Sequence, residues 1–314
     1  MSDKNIQILK TFTLENIPNL DVAVLGALEL FQKESLPNIK LDVYKRPLVV
    51  GSGNAEVTGK IIFQNMDAIF ASESDFEEKL KSITNIDGVV VVSASGGKHA
   101  PIIAKTAKKY NKHVTLITNT PNSSANRELD HKHDHDEYIF PKNREPYTYN
   151  TSTYMGMILG YTGENPAEIE HFIKQQVDTI TLPDFSKYNK FYLIVPPQFS
   201  GIIRMLQVKF IELFGRNIAR DVETSEYVPH ATTVATSDEL FISFGYENIT
   251  WGDPERRLNI PLPKNANYCA MMAIGYYTIA QIQKQHEPYF KENIASYTKQ
   301  VSKIFKSTIN PIVE

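Results

Sequence analysis

The stretch Val89-Val90-Val91-Val92-Ser93-Ala94-Ser95-Gly96-Gly97-Lys98 decides the fold. Four consecutive valines read as a strand buried on both faces, because β-branched side chains suit the pleat and an unbroken apolar run belongs to a parallel sheet. The serines and glycines that follow break the strand, and residues 98–109 have the apolar spacing of a helix. Strand, tight polar turn and helix in that order form half of a βαβ unit, so the fold class is α/β.

The same alternation extends outward. Strands are predicted at 47–50, 68–71, 89–92, 113–118 and 137–140. Helices are predicted at 56–65, 75–82, 98–109 and 151–161, and from 165 to about 176. Residues 178–188, with Pro183, Asp184 and Ser186, interrupt the periodicity and mark a boundary. Beyond it come a strand at 191–195, a turn through 196–201, a helix to about Phe214, strands near 217–221 and 239–243, and a long helix at 269–284. The halves read as degenerate copies of one fold. The first is 1–182, with an N-terminal helical extension; the second is 183–314, with a C-terminal helix and tail.

With 314 residues, 42% hydrophobic and 22% charged, the chain has the balance of a folded globular protein and excludes a disordered or coiled-coil one. Lys plus Arg number 33 against 36 Asp plus Glu, for a net charge of −3, so nucleic acid is not expected as a partner. The single cysteine, Cys269, forbids an internal disulfide and reads as a small core residue. The polar opening from Met1 to Asn5 has no apolar segment behind it, and the apolar runs are far short of the roughly 20 residues of a membrane span. A cytoplasmic protein with no membrane role is expected.

In an open parallel sheet, ligands sit at the carboxyl ends of the strands. Three strand ends carry small, polar or hydroxyl residues: Gly51-Ser52-Gly53-Asn54, Ser93 to Lys98, and Thr118 to Ser124. In the middle loop hydroxyls, amide N–H groups and a helix N-terminus converge on an anion, and Lys98 adds a positive charge. The competing role for these serines is helix capping. A dinucleotide fingerprint, suggested by Gly51-x-Gly53 with Glu73 about 20 residues on, fails at Glu56, where a third glycine is needed to avoid crowding the helix–strand contact. Gly97-Lys98 is followed by His99 rather than a hydroxyl residue, which excludes a Walker loop. A phosphate cradle is the better reading.

These residues resemble a known family. Ser93-x-Ser95-Gly96, with Ile117-Thr118-Asn119-x-Pro121-x-Ser123-Ser124-x-x-Arg127-Glu128-x-Asp130, is similar to the sugar isomerase (SIS) domain, the second string especially to the isomerase half of glutamine:fructose-6-phosphate aminotransferases. Gly51-x-Gly53-x-x-x-x-x-Gly59 and Thr151-Ser152-Thr153 resemble further family segments, and the likeness spans roughly residues 45 to 235. It implies two tandem SIS domains, each a parallel sheet flanked by helices in a three-layer sandwich. It also implies a sugar phosphate ligand, a homodimer, and no metal or organic cofactor. Carried over, it puts Ser93, Ser95, Ser123 and Ser124 around the phosphate, and Gly53 and Asn54 near the sugar. Lys98 stands where the family usually has threonine, and can neutralise the phosphate. Pro196-Pro197-Gln198 replaces a glycine-rich turn, so the second copy is expected to bind nothing.

Aldose–ketose interconversion needs a base that shuttles a proton between adjacent carbons and a group that opens the ring. Glu212, in Lys209-x-x-Glu212-Leu213, resembles the family's basic glutamate. His230, in Glu226-Tyr227-Val228-Pro229-His230, resembles its ring-opening histidine, which in relatives often comes from the partner subunit. The plainer readings are a solvated ion pair of Glu212 with Arg204, and a loop histidine. Lys306 is similar to a lysine of the aminotransferase tail, but the longer tail here favours a surface lysine. In the run Asp130 to Asp136, His131, His133 and His135 alternate faces, and solvation is expected rather than metal binding. Position 2 is Ser2, not the glutaminase cysteine, so ammonia release from glutamine is not expected. The expected activity is phosphosugar isomerisation on fructose-6-phosphate or an amino or glycated relative. The alternatives are a sugar-phosphate deaminase or deglycase, a non-catalytic phosphosugar sensor and, less favoured, a nucleotide-dependent oxidoreductase.

Overall fold

A computed structural model describes residues 3–129 and 135–314. Its first elements are α1 (Lys4–Thr11), α2 (Leu20–Phe31), β1 (Pro47–Val50), α3 (Asn54–Ile62), β2 (Ile69–Ala71), α4 (Phe76–Ser82), β3 (Gly88–Val92), α5 (Ala100–Lys109), β4 (His113–Thr118), α6 (Ser124–Glu128) and β5 (His135–Ile139). Then come β6 (Glu145–Pro146), α7 (Thr151–Thr162), α8 (Pro166–Phe172), β7 (Lys190–Val195), α9 (Ile203–Phe214), β8 (Ala219–Thr224) and α10 (Val228–Ala231). The last are β9 (Leu240–Phe244), β10 (Arg257–Ile260), α11 (Tyr268–Gln283), α12 (Tyr289–Phe305) and β11 (Ile312–Val313). The chain forms two compact units, one of Glu34–Lys142 with Thr153–Gly163, the other of Met1–Lys33, Asn143–Ser152 and Glu164–Glu314.

The Glu34–Lys142 unit is built on a five-stranded sheet in the order β2-β1-β3-β4-β5, parallel throughout. The valine run lies at its centre, with Val91 level with Val50 on one side and Leu116 on the other. Val89 and Val91 face a core completed by Ile103, Ala104 and Ala107 of α5. Val90 and Val92 on the opposite face are also buried, as an unbroken apolar strand requires. α5 buries Ala100, Ile103, Ala104 and Ala107, the stripe of an amphipathic helix. The strand order reverses between β1 and β3, a switch point where the carboxyl ends of adjacent strands diverge and leave a crevice.

The other unit holds a four-stranded parallel sheet, β10-β9-β7-β8. From β8 the order is second, first, third, fourth, matching the first four strands of the larger sheet. α11 is buried on nearly every side, Cys269 included. Residues 1–33 and 164–182, which the sequence reading placed with the first half, belong to this compact unit. Apolar burial accounts for this: α2 sinks Leu20, Ala23, Val24, Ala27, Leu28 and Phe31, a wider apolar surface than an exposed extension has. Its buried Glu29 is satisfied by the amides of Asn5 and Ile6, at 3.1 and 2.9 Å, so the carboxylate caps α1. No helix among the described residues is long and apolar enough to cross a membrane.

Strand β10, Arg-Leu-Asn-Ile, lies outside the sequence expectations, because four residues of mixed polarity give no pattern to read. The predicted strand at 217–221 is found at Ala219–Thr224.

Candidate functional site

At the β1/β3 switch point the loops leave a cavity of about 190 Å³. Gly51 and Ser52 line it from the first loop, and Ser93, Ser95, Gly97 and Lys98 from the second; Glu73, His99 and Tyr154 complete it. Such a volume falls below that of pockets enclosing drug-sized ligands, but accommodates an oxyanion head group. Gly53 and Asn54 lie beside this wall rather than in it: Gly53 precedes α3 with φ +57°, and Asn54 opens the helix with its Oδ1 buried and unpartnered. The glycine the fingerprint lacks at Glu56 is supplied one turn later. Gly59 faces β1 so closely that a Cβ would stand 2.8 Å from Val49, while Glu56 turns outward to Lys60.

The segment after β4 closes on the same loop. Asn119 donates its N–H to the Ala94 carbonyl at 3.0 Å, and the Thr118 hydroxyl donates to that oxygen at 3.2 Å. Ala125 N–H donates to the Gly96 carbonyl at 2.8 Å. Gly96 has φ +57°, and a Cβ there would fall 2.4 Å from the Ser123 side chain, so this position admits glycine for both its conformation and the close approach. Segments 93–98 and 123–125 therefore adjoin. Ser123 is buried and caps α6, accepting from Asn126 N–H at 3.2 Å. Ser124 accepts from Arg127 at 2.8 Å. The structure brings Ser93, Ser95 and Lys98 together in the cavity wall, with both serines of the third loop held by protein partners. Tyr154 and His99 escaped the sequence reading; Tyr154 directly follows the Thr151-Ser152-Thr153 string.

Glu212 lines a cavity of about 540 Å³. Its partner is Lys209 at 2.7 Å, not Arg204; Lys209 is fully buried and the Glu212 side chain 20% exposed. Lys209 has no exposure and also donates to the carbonyls of Thr148 and Tyr149, at 2.9 and 2.8 Å, so its three N–H donors are all engaged. Burial pushes the Glu212 carboxyl above the ordinary carboxylate range, with Lys209 pulling it partly back. Glu145 is buried too, accepting from Thr151 and Ser152 N–H at 2.6 and 2.8 Å, and burial likewise raises its carboxyl. The Ser152 hydroxyl accepts from Asn143 N–H at 2.9 Å, so the start of α7 has a structural task.

His230 lies elsewhere, exposed on α10 and stacked edge-on near Tyr227, with ring centroids 6.3 Å apart. Glu212 precedes the start of β8 and His230 follows its end. His230 is not among the residues that line the Glu212 cavity. One chain does not bring them together. The Pro196 to Gly201 turn is a short helical segment, Pro197–Ile202, with Phe199 buried edge-on against Tyr268. Lys306 is exposed and caps α12 in a left-handed conformation. His131 and His133 lie outside the described residues, and His135 opens β5. Among the described residues no three metal-ligating side chains cluster.

No family model and no curated protein matches the chain. Solved structures do. The C-terminal domain of glucosamine-fructose-6-phosphate aminotransferase from Francisella tularensis matches with TM-score 0.58 and 14% identity, over 90% of this chain and 95% of that one. The tagatose-6-phosphate ketose/aldose isomerase of Escherichia coli matches with TM-score 0.57 and 11% identity, over 91% and 93%. The glucosamine-6-phosphate deaminase of Thermotoga maritima matches with TM-score 0.57 and 11% identity, over 84% and 93%. The chain has the SIS fold, as its loop residues led one to expect.

Proposed function

We propose that this protein is a phosphosugar isomerase, acting on fructose-6-phosphate or an amino or glycated relative. The convergence of Ser93, Ser95, Lys98 and the loop amides on one cavity at the switch point carries the reading, because such a site neutralises and hydrogen-bonds a phosphate. Glu212 is the proposed proton shuttle between the adjacent carbons, its raised proton affinity suiting a group that must both take and return a proton near neutral pH. His230 is the proposed ring-opening acid. Since His230 does not line the Glu212 cavity of its own chain, the pairing calls for His230 from a second copy, and a homodimer is part of the proposal. Fold likeness to the isomerase and deaminase above supports the class without choosing the substrate.

That His230 does not line the Glu212 cavity favours one further reading, a phosphosugar sensor without turnover. Pure protein offered fructose-6-phosphate, glucosamine-6-phosphate and fructosamine-6-phosphates decides between them. Conversion lost in Glu212→Gln supports the isomerase or its deaminase and deglycase variants. Melting shifts without conversion support the sensor, and an absence of both sinks the two readings together.

A further inference from the structure

Among the described residues that line the loop cavity, Glu73 is the one acidic side chain, and neither the phosphate cradle nor the packing of the fold uses it. It stands two residues past the end of β2, so the strand beside β1 delivers it to the same wall as Gly51 and Ser52.

The acids near it in sequence and along the first loop have partners. Asp75 accepts from Ser72 N–H at 2.7 Å and pairs with Lys79 at 2.6 Å, and Glu56 pairs with Lys60 at 2.6 Å. Glu73 makes no side-chain hydrogen bond or ion pair among the described residues. It is half-buried, yet both carboxylate oxygens stay open to solvent. The cavity is small, about 190 Å³, so a ligand held at Ser93, Ser95 and Lys98 comes within a few ångströms of Glu73 as well. At such separations like charges repel appreciably, and a carboxylate beside a phosphate dianion opposes binding of a plain sugar phosphate. The same carboxylate favours binding when the ligand brings a cation of its own.

We propose that Glu73 is a specificity-determining residue, selecting phosphosugars that carry a protonated amine: the phosphate meets Ser93, Ser95 and Lys98, and the ammonium meets Glu73. The amine is that of an amino sugar or of a glycated amino group, which share this chemistry. Such a role for Glu73 rests on the phosphosugar reading and narrows it.

Calorimetric titration of the 314-residue chain with glucosamine 6-phosphate and glucose 6-phosphate, at a pH that keeps the amine protonated, tests it. The parent is expected to bind the amine about tenfold more tightly. Glu73→Gln should erase that preference by moving the two ligands in opposite directions, weakening glucosamine 6-phosphate and tightening glucose 6-phosphate, a crossing that a merely structural residue would not produce. The exchange keeps the side chain's size and strands no partner, so the ligand-free melting temperature should equal the parent's. Ser95→Ala should weaken both ligands alike, since it faces the phosphate they share. Fructosamine 6-phosphate set against fructose 6-phosphate tells the two amine sources apart: the pair with the larger Glu73-dependent preference names the source. Binding without preference for the amine, or a preference that survives Glu73→Gln, overturns the role of Glu73 and leaves the phosphosugar reading standing. No binding by any of the four brings both down.

Discussion

Ala125 donates its backbone N–H to the Gly96 carbonyl at 2.8 Å, and through that bond two loops from neighbouring strand ends act as one wall. The bond survives only while Gly96 stays small and left-handed. Gly96→Ala would place a methyl 2.4 Å from Ser123, so a loss of about 1–3 kcal/mol in denaturant unfolding is expected, with sugar phosphate binding abolished. Full stability in this variant would refute the close approach.

Ser95→Ala should behave in the opposite way. Its side chain is exposed in the cavity wall, so stability should stay within about 0.5 kcal/mol while the melting shift produced by sugar phosphates disappears. A shift equal to the parent's would count against the cradle.

Ser123 and Ser124, adjacent in sequence, should separate in a stability measurement. Ser123→Ala removes the buried cap of α6 and should cost about 1 kcal/mol. Ser124→Ala loses only a bond to an exposed arginine and should cost less than about 0.5 kcal/mol. Equal costs would contradict the division of roles.

Lys209→Met strands Glu212 and the Thr148 and Tyr149 carbonyls together. Removing one member of a buried pair costs about 3–5 kcal/mol, so a large fall in the unfolding midpoint is expected, partly restored by adding Glu212→Gln. Additive effects of the two changes would show that the pair is not coupled.

The Glu212 carboxyl holds its proton to higher pH in the folded chain than its ordinary 4.5 in the unfolded one. Above 4.5 the folded state therefore binds the extra proton, and stability from this group falls as pH rises through the window up to the folded value. Glu212→Gln cannot ionise. Thermal melts across this range should show the parent losing ground to the variant as pH climbs, and parallel curves would exclude the raised proton affinity. Glu145, shifted the same way, is present in both proteins and cancels.

If His230 acts across a two-fold interface, inactive Glu212→Gln and His230→Asn chains should rescue each other when mixed. Random pairing makes half the dimers mixed, each with one intact site of two, so roughly a quarter of parent activity returns. No recovery in proven mixed dimers would remove His230 from the chemistry.

The central sheet was legible because its strands are short, apolar and doubly buried; His113–Thr118 and Pro47–Val50 stand at the expected residues. The loops were legible because serine and glycine cluster where strands end. The assignment of α2 to a compact unit was not, since contacts between residues far apart in sequence leave no local pattern. Glu212 was singled out by resemblance, but its partner Lys209, three residues earlier, was read past in favour of Arg204. A lysine in an amphipathic stretch looks like a solvated one until burial is known. Thr148 left no signal, because a left-handed threonine is a consequence of tertiary contacts and not of its own preference.

The two sheets share a strand order, but where Gly51 and Ser52 line a cavity after the first strand of one, Phe199 after the first strand of the other, β7, is buried edge-on against Tyr268. Duplicates that diverge in this way drift under unlike pressures. In a saturation library, residues 196–201 should accept bulky apolar replacements that keep this contact filled, whereas Gly51, where a Cβ would stand 2.6 Å from the Glu56 backbone, should reject every larger residue. The younger history of such a chain is then written in which substitutions each half forgives.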